Sequence, residues 1–452
     1  MKLAILGGGG FRVPLVYRAL LDQHGPGRIT ELYLHDVDRT RLGVIAKVLA
    51  EQATAAARQA GTVDPPKVTV TTDIDEAVVG ADFIFSAIRV GGLTGRTIDE
   101  RVALREGVLG QETVGAGGIA YGLRTVPVVV DLARRVAELA PESWLINFTN
   151  PAGLVTEAMS AHLGDRVIGI CDSPVGLGRR VASTLGVDPA IARFDYVGLN
   201  HLGWLRRVLV NGTDQLPRLL ADPAAHSSFE ESRLFGSDWL RTLGSVPNEY
   251  LYYYYFTRET IAAATGAAQT RGEFLLDQQG RFYQQVAEQG AAALAAWEAT
   301  RLEREATYLA EGRTAAGAGE RDTVDLNGGG YEQLALTLMH AIAADEPTTL
   351  ILNVRNKGSL SGLDDAAVIE VPCLVDGNGA QALAVAPLDD HQAGLVASVK
   401  AAERATIAAA TSGSRRAALR ALAIHPLVDS ATVAGRVLAG YLAEHPQLAY
   451  LR

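Results

Sequence analysis

The chain opens on the apolar run Lys2–Leu6, passes straight into Gly7, Gly8, Gly9 and Gly10, and resumes with an apolar, helix-compatible stretch at 15–21. A strand, a glycine turn and a helix in that order bring backbone N–H groups close to a pyrophosphate and aim a helix N-terminus at it. Gly7 and Gly9 fit the first two glycines of a dinucleotide fingerprint, and Gly10, Phe11 and Arg12 complete the turn. Arg12 stands where a third glycine or alanine is usual. A second apolar run, 29–34, leads through His35 to Asp36, an acidic group able to hydrogen-bond a ribose hydroxyl of NAD+. The competing reading is a tight strand-to-helix turn with a surface aspartate.

Apolar runs at 2–6, 29–34, 67–71, 82–87, 144–148 and 167–170 alternate with helix-like segments such as 41–58 and 124–139. That alternation predicts an α/β fold: an N-terminal Rossmann-like, doubly wound parallel sheet. Ligands of such sheets lie beyond the carboxyl ends of the strands. Polar residues follow each strand there: Ser86 to Arg96, Thr149 and Asn150, then Cys171 and Asp172. Beyond about residue 190 the pattern changes. It gives a strand at 205–210, a helical region from the tyrosine run at 250–256 through 275–311, a glycine turn at 327–330 and a helix near 331–344. Strands at 348–354 and 367–375 and a helical end follow. The expected organisation is a NAD-binding domain at 1–190 with a second α+β domain, 191–452, packed on it for substrate, metal and oligomerisation.

At 452 residues the chain is long for one core. Its net charge of −10 argues against a nucleic-acid footprint, which needs a basic face. No run of about 18 apolar residues is present to span a membrane. Two cysteines, Cys171 and Cys373, make no disulfide framework. With no leader-like segment before the first strand, a cytoplasmic location is expected.

Several side chains carry chemistry in more than one reading. Cys171 and His201 suit a borderline divalent ion, but their separation carries no local ligand spacing, and by themselves they read more simply as a buried small residue and a satisfied polar group. Asp172 sits where a carboxylate can act as acid or base, and also where Asp-Ser-Pro starts a helix. Glu112, in a glycine-rich stretch, is either catalytic or a loop carboxylate. Arg12, Arg89, Arg96 and Arg271 can clamp a phosphate or lie along the surface.

Taken together, these residues define a pattern. Gly7 to Gly10, Gly91-Gly92-Leu-x-Gly95-Arg96, Gly110-Gln-Glu-Thr-Val-Gly115, Asn147-Phe-Thr-Asn-Pro151, Cys171-Asp-Ser-Pro174, Gly198-Leu-Asn-His-Leu202, Asn248-Glu-Tyr250-Leu, Asn353-Val-Arg-Asn-Lys-Gly358 and Glu370-Val-Pro-Cys373 are collinear. The set resembles glycoside hydrolase family 4 over nearly the whole chain, the NAD-dependent exception among glycosidases. The resemblance implies NAD+ and Mn2+ or another divalent metal, reducing conditions, and a phosphorylated disaccharide or glycoside as substrate. It also implies a homodimer or homotetramer. The implied reaction is transient oxidation at sugar C3, deprotonation at C2, elimination of the aglycone, water addition and re-reduction.

In that frame Cys171 and His201 hold the metal and Tyr250 is the C2 base. Asp172 and Glu112 assist the leaving group or the C3 hydroxyl. Asn150 orients the sugar beside the cofactor, and Asn200, Arg89, Arg96 and Arg271 complete the substrate contacts. Cys-Asn-x-Pro accompanies 6-phospho-β-glucosidases in this family, Cys-Asp-Met-Pro the 6-phospho-α-glucosidases, and Cys-His-Ser the α-galactosidases. Cys171-Asp172-Ser173-Pro174 matches none of them. The stretches 147–157 and 196–202 favour the 6-phospho-β-glucosidase reading. The α-type, an unphosphorylated α-glycosidase and, outside the class, a NAD-dependent hydroxy-acid dehydrogenase stand as alternatives.

Overall fold

The computed structural model describes every residue except 26, 61–63, 223, 224, 226, 227, 289, 291 and 322–329. Residues 327–329 of the expected glycine turn lie outside the described residues. The parallel half is built from β1 (Lys2–Leu6), β2 (Glu31–His35), β3 (Lys67–Thr71), β4 (Phe83–Ser86), β5 (Trp144–Asn147) and β6 (Val167–Gly169). β7 (Arg193–Leu199), β8 (Leu202–Val210), β9 (Thr213–Asp214), β10 (Val246–Pro247), β11 (Thr348–Arg355), β12 (Val368–Asp376) and β13 (Gly379–Ala382) form the antiparallel half. The parallel order is β3-β2-β1-β4-β5-β6, the doubly wound arrangement with its switch point beside β1. The sheet then continues antiparallel through β11, β12, β7, β8 and β10.

β1 shows why the sheet is covered on both faces. Leu3 and Ile5 join Val16, Leu20 and Ile45 on one side, while Ala4 and Leu6 join Ile119, Leu123 and Val126 on the other. Helices on both faces bury such a strand completely, so it reads as an unbroken apolar run. Pro14 starts the helix Val13–Leu21, where a missing N–H costs nothing.

One expected boundary differs, and one strand was not expected. The helix expected at 124–139 runs from Gly115 to Leu139. Its first turn lies so close to the preceding loop that a Cβ on Gly117 would stand 2.3 Å from the Gln111 carbonyl oxygen. Glycines that read as turn punctuation are there for close approach. β7 escaped the sequence reading altogether; it pairs with β8 across the two-residue tip Asn200-His201, in register Leu199 to Leu202.

The ladder narrows to one residue pair at two joints: Asn353 with Gly169 between β11 and β6, and Glu370 with Gly198 between β12 and β7. Side chains reinforce the second. The Glu370 carboxyl accepts from Asn353 Nδ2 (2.8 Å), Asn200 Nδ2 (3.3 Å) and the Tyr196 hydroxyl (3.1 Å). Burial pushes its pKa up to about 7 despite those donors. The folded state therefore holds this proton above the unfolded carboxyl's range, and its contribution, full at acid pH, is lost as pH rises from about 4.5 toward 7. Glu370→Gln should flatten that part of the stability–pH profile in urea unfolding at pH 5, 6 and 7; an unchanged slope would assign it elsewhere.

Candidate active site

One cavity of about 1300 Å³ opens over the carboxyl ends of β1, β4, β5 and β6. Gly7, Gly10, Phe11, Arg12, Asp36, Arg89, Arg96, Glu112, Asn150, Cys171, Asp172, His201, Tyr250 and Arg271 all line it. Two expected contacts lie outside the lining. Gly9 is in the turn behind it, and Asn200 is committed to the frame, accepting from the Ala152 N–H (3.2 Å) and donating to Glu370.

The glycine turn folds back on β2. The Gly7 and Gly8 N–H groups both donate to the His35 carbonyl (2.9 and 2.7 Å), and the Gly9 N–H donates to Asp36 Oδ2 (3.0 Å). Gly7 has φ +88°, and a Cβ there would stand 2.6 Å from the Ala87 carbonyl oxygen. On Gly9 it would stand 2.9 Å from Asp36 Oδ2. This backbone cradle fits a dinucleotide: it exists only without side chains, and it opens at a helix N-terminus. Aromatic groups brace it from behind. Tyr283 donates to the Gly9 carbonyl (2.7 Å), Trp297 Nε1 to that of Phe11 (2.8 Å) and Tyr331 to that of Arg12 (2.7 Å).

Asp172 occupies the N-cap position of the helix Ser173–Leu185, yet its side chain caps nothing. Instead it faces Arg12, 3.9 Å away. Glu112 bridges two arginines, one carboxylate oxygen on Arg89 and the other on Arg96. Burial would raise its pKa, but the two guanidiniums overcome this and hold it at about 2. It is an anion at any working pH. Arg271 donates to Thr307 Oγ1 (2.7 Å) and the Arg304 carbonyl (2.9 Å), which carries Arg304 and Tyr308 to the same cavity. Neither Arg304 nor Tyr308 stood out in the sequence, since both fall inside an ordinary helical stretch.

His201 forms the tip of the β7–β8 hairpin with φ +61°, a conformation costing about 1–3 kcal/mol for a side chain of its kind. Its ring lies flat on Tyr250, centroids 3.6 Å apart and planes 5° apart. Burial depresses its pKa to about 3, so the imidazole is neutral and able to ligate. Cys171, also buried, has its thiol pushed well up, by burial first and then by Glu370 and Asp172. Tyr250 behaves likewise: burial, then Glu249, raises its phenol well above the ordinary range, and its hydroxyl meets Tyr308's at 3.0 Å. Among the described residues no three His, Cys, Asp or Glu side chains cluster as a ready-made metal cage. A soft thiol and a neutral imidazole opening on one cavity fit a catalytic divalent ion with positions left for water and substrate.

Comparison with known proteins identifies the family. The Family 4 glycosyl hydrolase pattern matches residues 2–187, and the Family 4 glycosyl hydrolase C-terminal domain pattern matches 196–428. The chain belongs to that family and is a glycoside hydrolase. It is 31% identical to the 6-phospho-beta-glucosidase of Escherichia coli, over 95% of this chain and 92% of that one. A 6-phospho-alpha-glucosidase from gut microorganisms, solved with NAD and glucose-6-phosphate, superposes with TM-score 0.81 at 27% identity, covering 98% and 97% of the two chains. The 6-phospho-beta glucosidase of Thermotoga maritima, solved with manganese, NAD+ and glucose-6-phosphate, gives TM-score 0.80 at 26% identity, over 98% of each.

Gly9→Ala should force the turn off Asp36 and weaken NAD+ binding by about 10–100-fold, the cost of a forced methyl, as read by calorimetry. Unchanged affinity would remove the cradle from the cofactor site.

Proposed function

We propose that the chain hydrolyses 6-phospho-β-glucosides with NAD+ and a divalent ion, Mn2+ first among them. The observation that carries the reading is one cavity joining the glycine cradle, the Cys171–His201–Tyr250 cluster and the arginines at 89, 96 and 271. NAD+ in the cradle supplies a reversible hydride acceptor, and a divalent ion at Cys171 and His201 supplies positive charge beside the sugar oxygens.

The chain's own groups do the rest. Tyr250 takes the C2 proton once a cation near the imidazole stacked on it stabilises the phenolate, which the buried site alone disfavours. Glu112 stays ionised; it aligns Arg89 and Arg96 and accepts a hydrogen bond from a sugar hydroxyl. Arg89, about a third exposed, offers the substrate phosphate a planar donor fork, with Arg271 across the cavity. Asp172, beside Arg12, serves the leaving-group side, and Asn150 orients the ring.

The family relatives named above include both anomeric types, and Asp172 favours the α-type as the second reading. Among the described residues no helix is long and apolar enough to cross a membrane. A cytoplasmic homodimer or homotetramer, supplied with phosphorylated sugars, is the expected setting, in keeping with two free, buried thiols.

The test is hydrolysis of p-nitrophenyl 6-phospho-β-glucoside and its α-anomer with NAD+, Mn2+ and a thiol, each omitted in turn. The β-substrate should turn over, stop without NAD+ or Mn2+, and leave no net NADH. Turnover of the α-substrate alone would make Asp172 the better guide. Turnover of neither, with an unphosphorylated glycoside accepted, would remove the phosphate role of Arg89 and Arg271.

A further inference from the structure

Behind His201 lies a short hydrogen-bond chain with only one self-consistent proton arrangement. Gln111 Oε1 takes three contacts: the N–H of Thr113 (2.6 Å), the N–H of Val114 (3.0 Å) and the Thr113 hydroxyl (2.9 Å). Two are backbone donors, so the amide oxygen, and not its NH2, must face them. The Thr113 hydroxyl proton is the only one available for the third contact. Thr113 Oγ1 therefore has only lone pairs left for His201 Nδ1, which approaches to 2.8 Å. Two acceptors at that distance would repel, so Nδ1 carries a proton and donates it.

A neutral imidazole protonated at Nδ1 has its remaining lone pair on Nε2. We propose that Thr113 and Gln111 are positioning residues that fix this tautomer, making Nε2 of His201 the nitrogen that receives the divalent ion. The proposal rests on the metal reading above and adds how the site is set. The surroundings leave the ring little choice: Tyr250 fixes its plane, the hairpin tip fixes its backbone, and Thr113 fixes its protons. The intervening Glu112 holds Arg89 and Arg96, so one tripeptide serves both the metal ligand and the arginines.

The experiment measures Mn2+ affinity, from the electron paramagnetic resonance signal of the free ion, and NAD+ affinity by calorimetry. Both are done on wild type, Thr113→Val and Thr113→Ser. Loss of an outer-shell partner weakens metal binding by about 10–100-fold, and Thr113→Val should show that loss with NAD+ affinity unchanged. Thr113→Ser, which keeps the hydroxyl, should bind Mn2+ like wild type. Wild-type Mn2+ affinity in Thr113→Val would overturn the proposal, as would an equal loss of Mn2+ and NAD+, which marks a collapsed loop. A wild type that binds no Mn2+ would overturn the metal reading itself. Should Thr113→Val not fold, 15N-histidine spectra of the metal-free wild type decide, with the His201 signal assigned through His201→Gln. A proton on Nδ1 is expected, and one on Nε2 would refute the assignment.

Discussion

The buried carboxyl of Glu370 is the interaction on which the site depends. Where the antiparallel half meets the parallel one, between β11 and β6, and again inside the antiparallel half, between β12 and β7, the backbone ladder is down to a single bridge. Glu370 gathers Asn353, Asn200 and Tyr196 around one group, and Asn200 immediately precedes the metal-ligand candidate His201. The parallel half supplies the cradle and Cys171, the antiparallel half supplies His201. Only a fixed joint lets them open on one cavity.

Opposing electrostatic effects then sort the cavity's groups. Burial acts alike on His201, Cys171 and Tyr250, driving each toward its neutral form. Glu112 escapes because two guanidiniums outweigh its desolvation. The resting site thus holds a neutral thiol, a neutral imidazole, a neutral phenol and an anion already matched to arginines. For Tyr250 to serve as the proposed base, a nearby cation has to offset the burial that favours its neutral phenol.

Much of this was legible in the sequence, for a physical reason. The cradle, Asp36, Asn150 and Cys171-Asp172 are local features at strand ends, where a doubly wound sheet delivers polar residues to one edge. Arg304 and Tyr308 were not legible, because nothing in a helical stretch says which turn will reach a cavity formed by residues two hundred positions earlier. The family resemblance implies a substrate contact for Asn200, but the fold spends its amide on Glu370 and Ala152. For Asp172 the sequence offered a helix start and a site carboxylate, and both hold: it stands at the N-cap position while its side chain turns to Arg12.

The central claim is that glycoside cleavage here proceeds through loss of the sugar's C2 proton. Hydrolysis of a 6-phospho-β-glucoside in D2O, with NAD+ and Mn2+ present, tests it directly by NMR or mass spectrometry of the sugar product. The account predicts deuterium at C2 of the product and none in reactions from which NAD+ is withheld, because those do not turn over. Hydrolysis that leaves C2 unlabelled and proceeds without NAD+ would contradict it and return the enzyme to ordinary carboxylate chemistry.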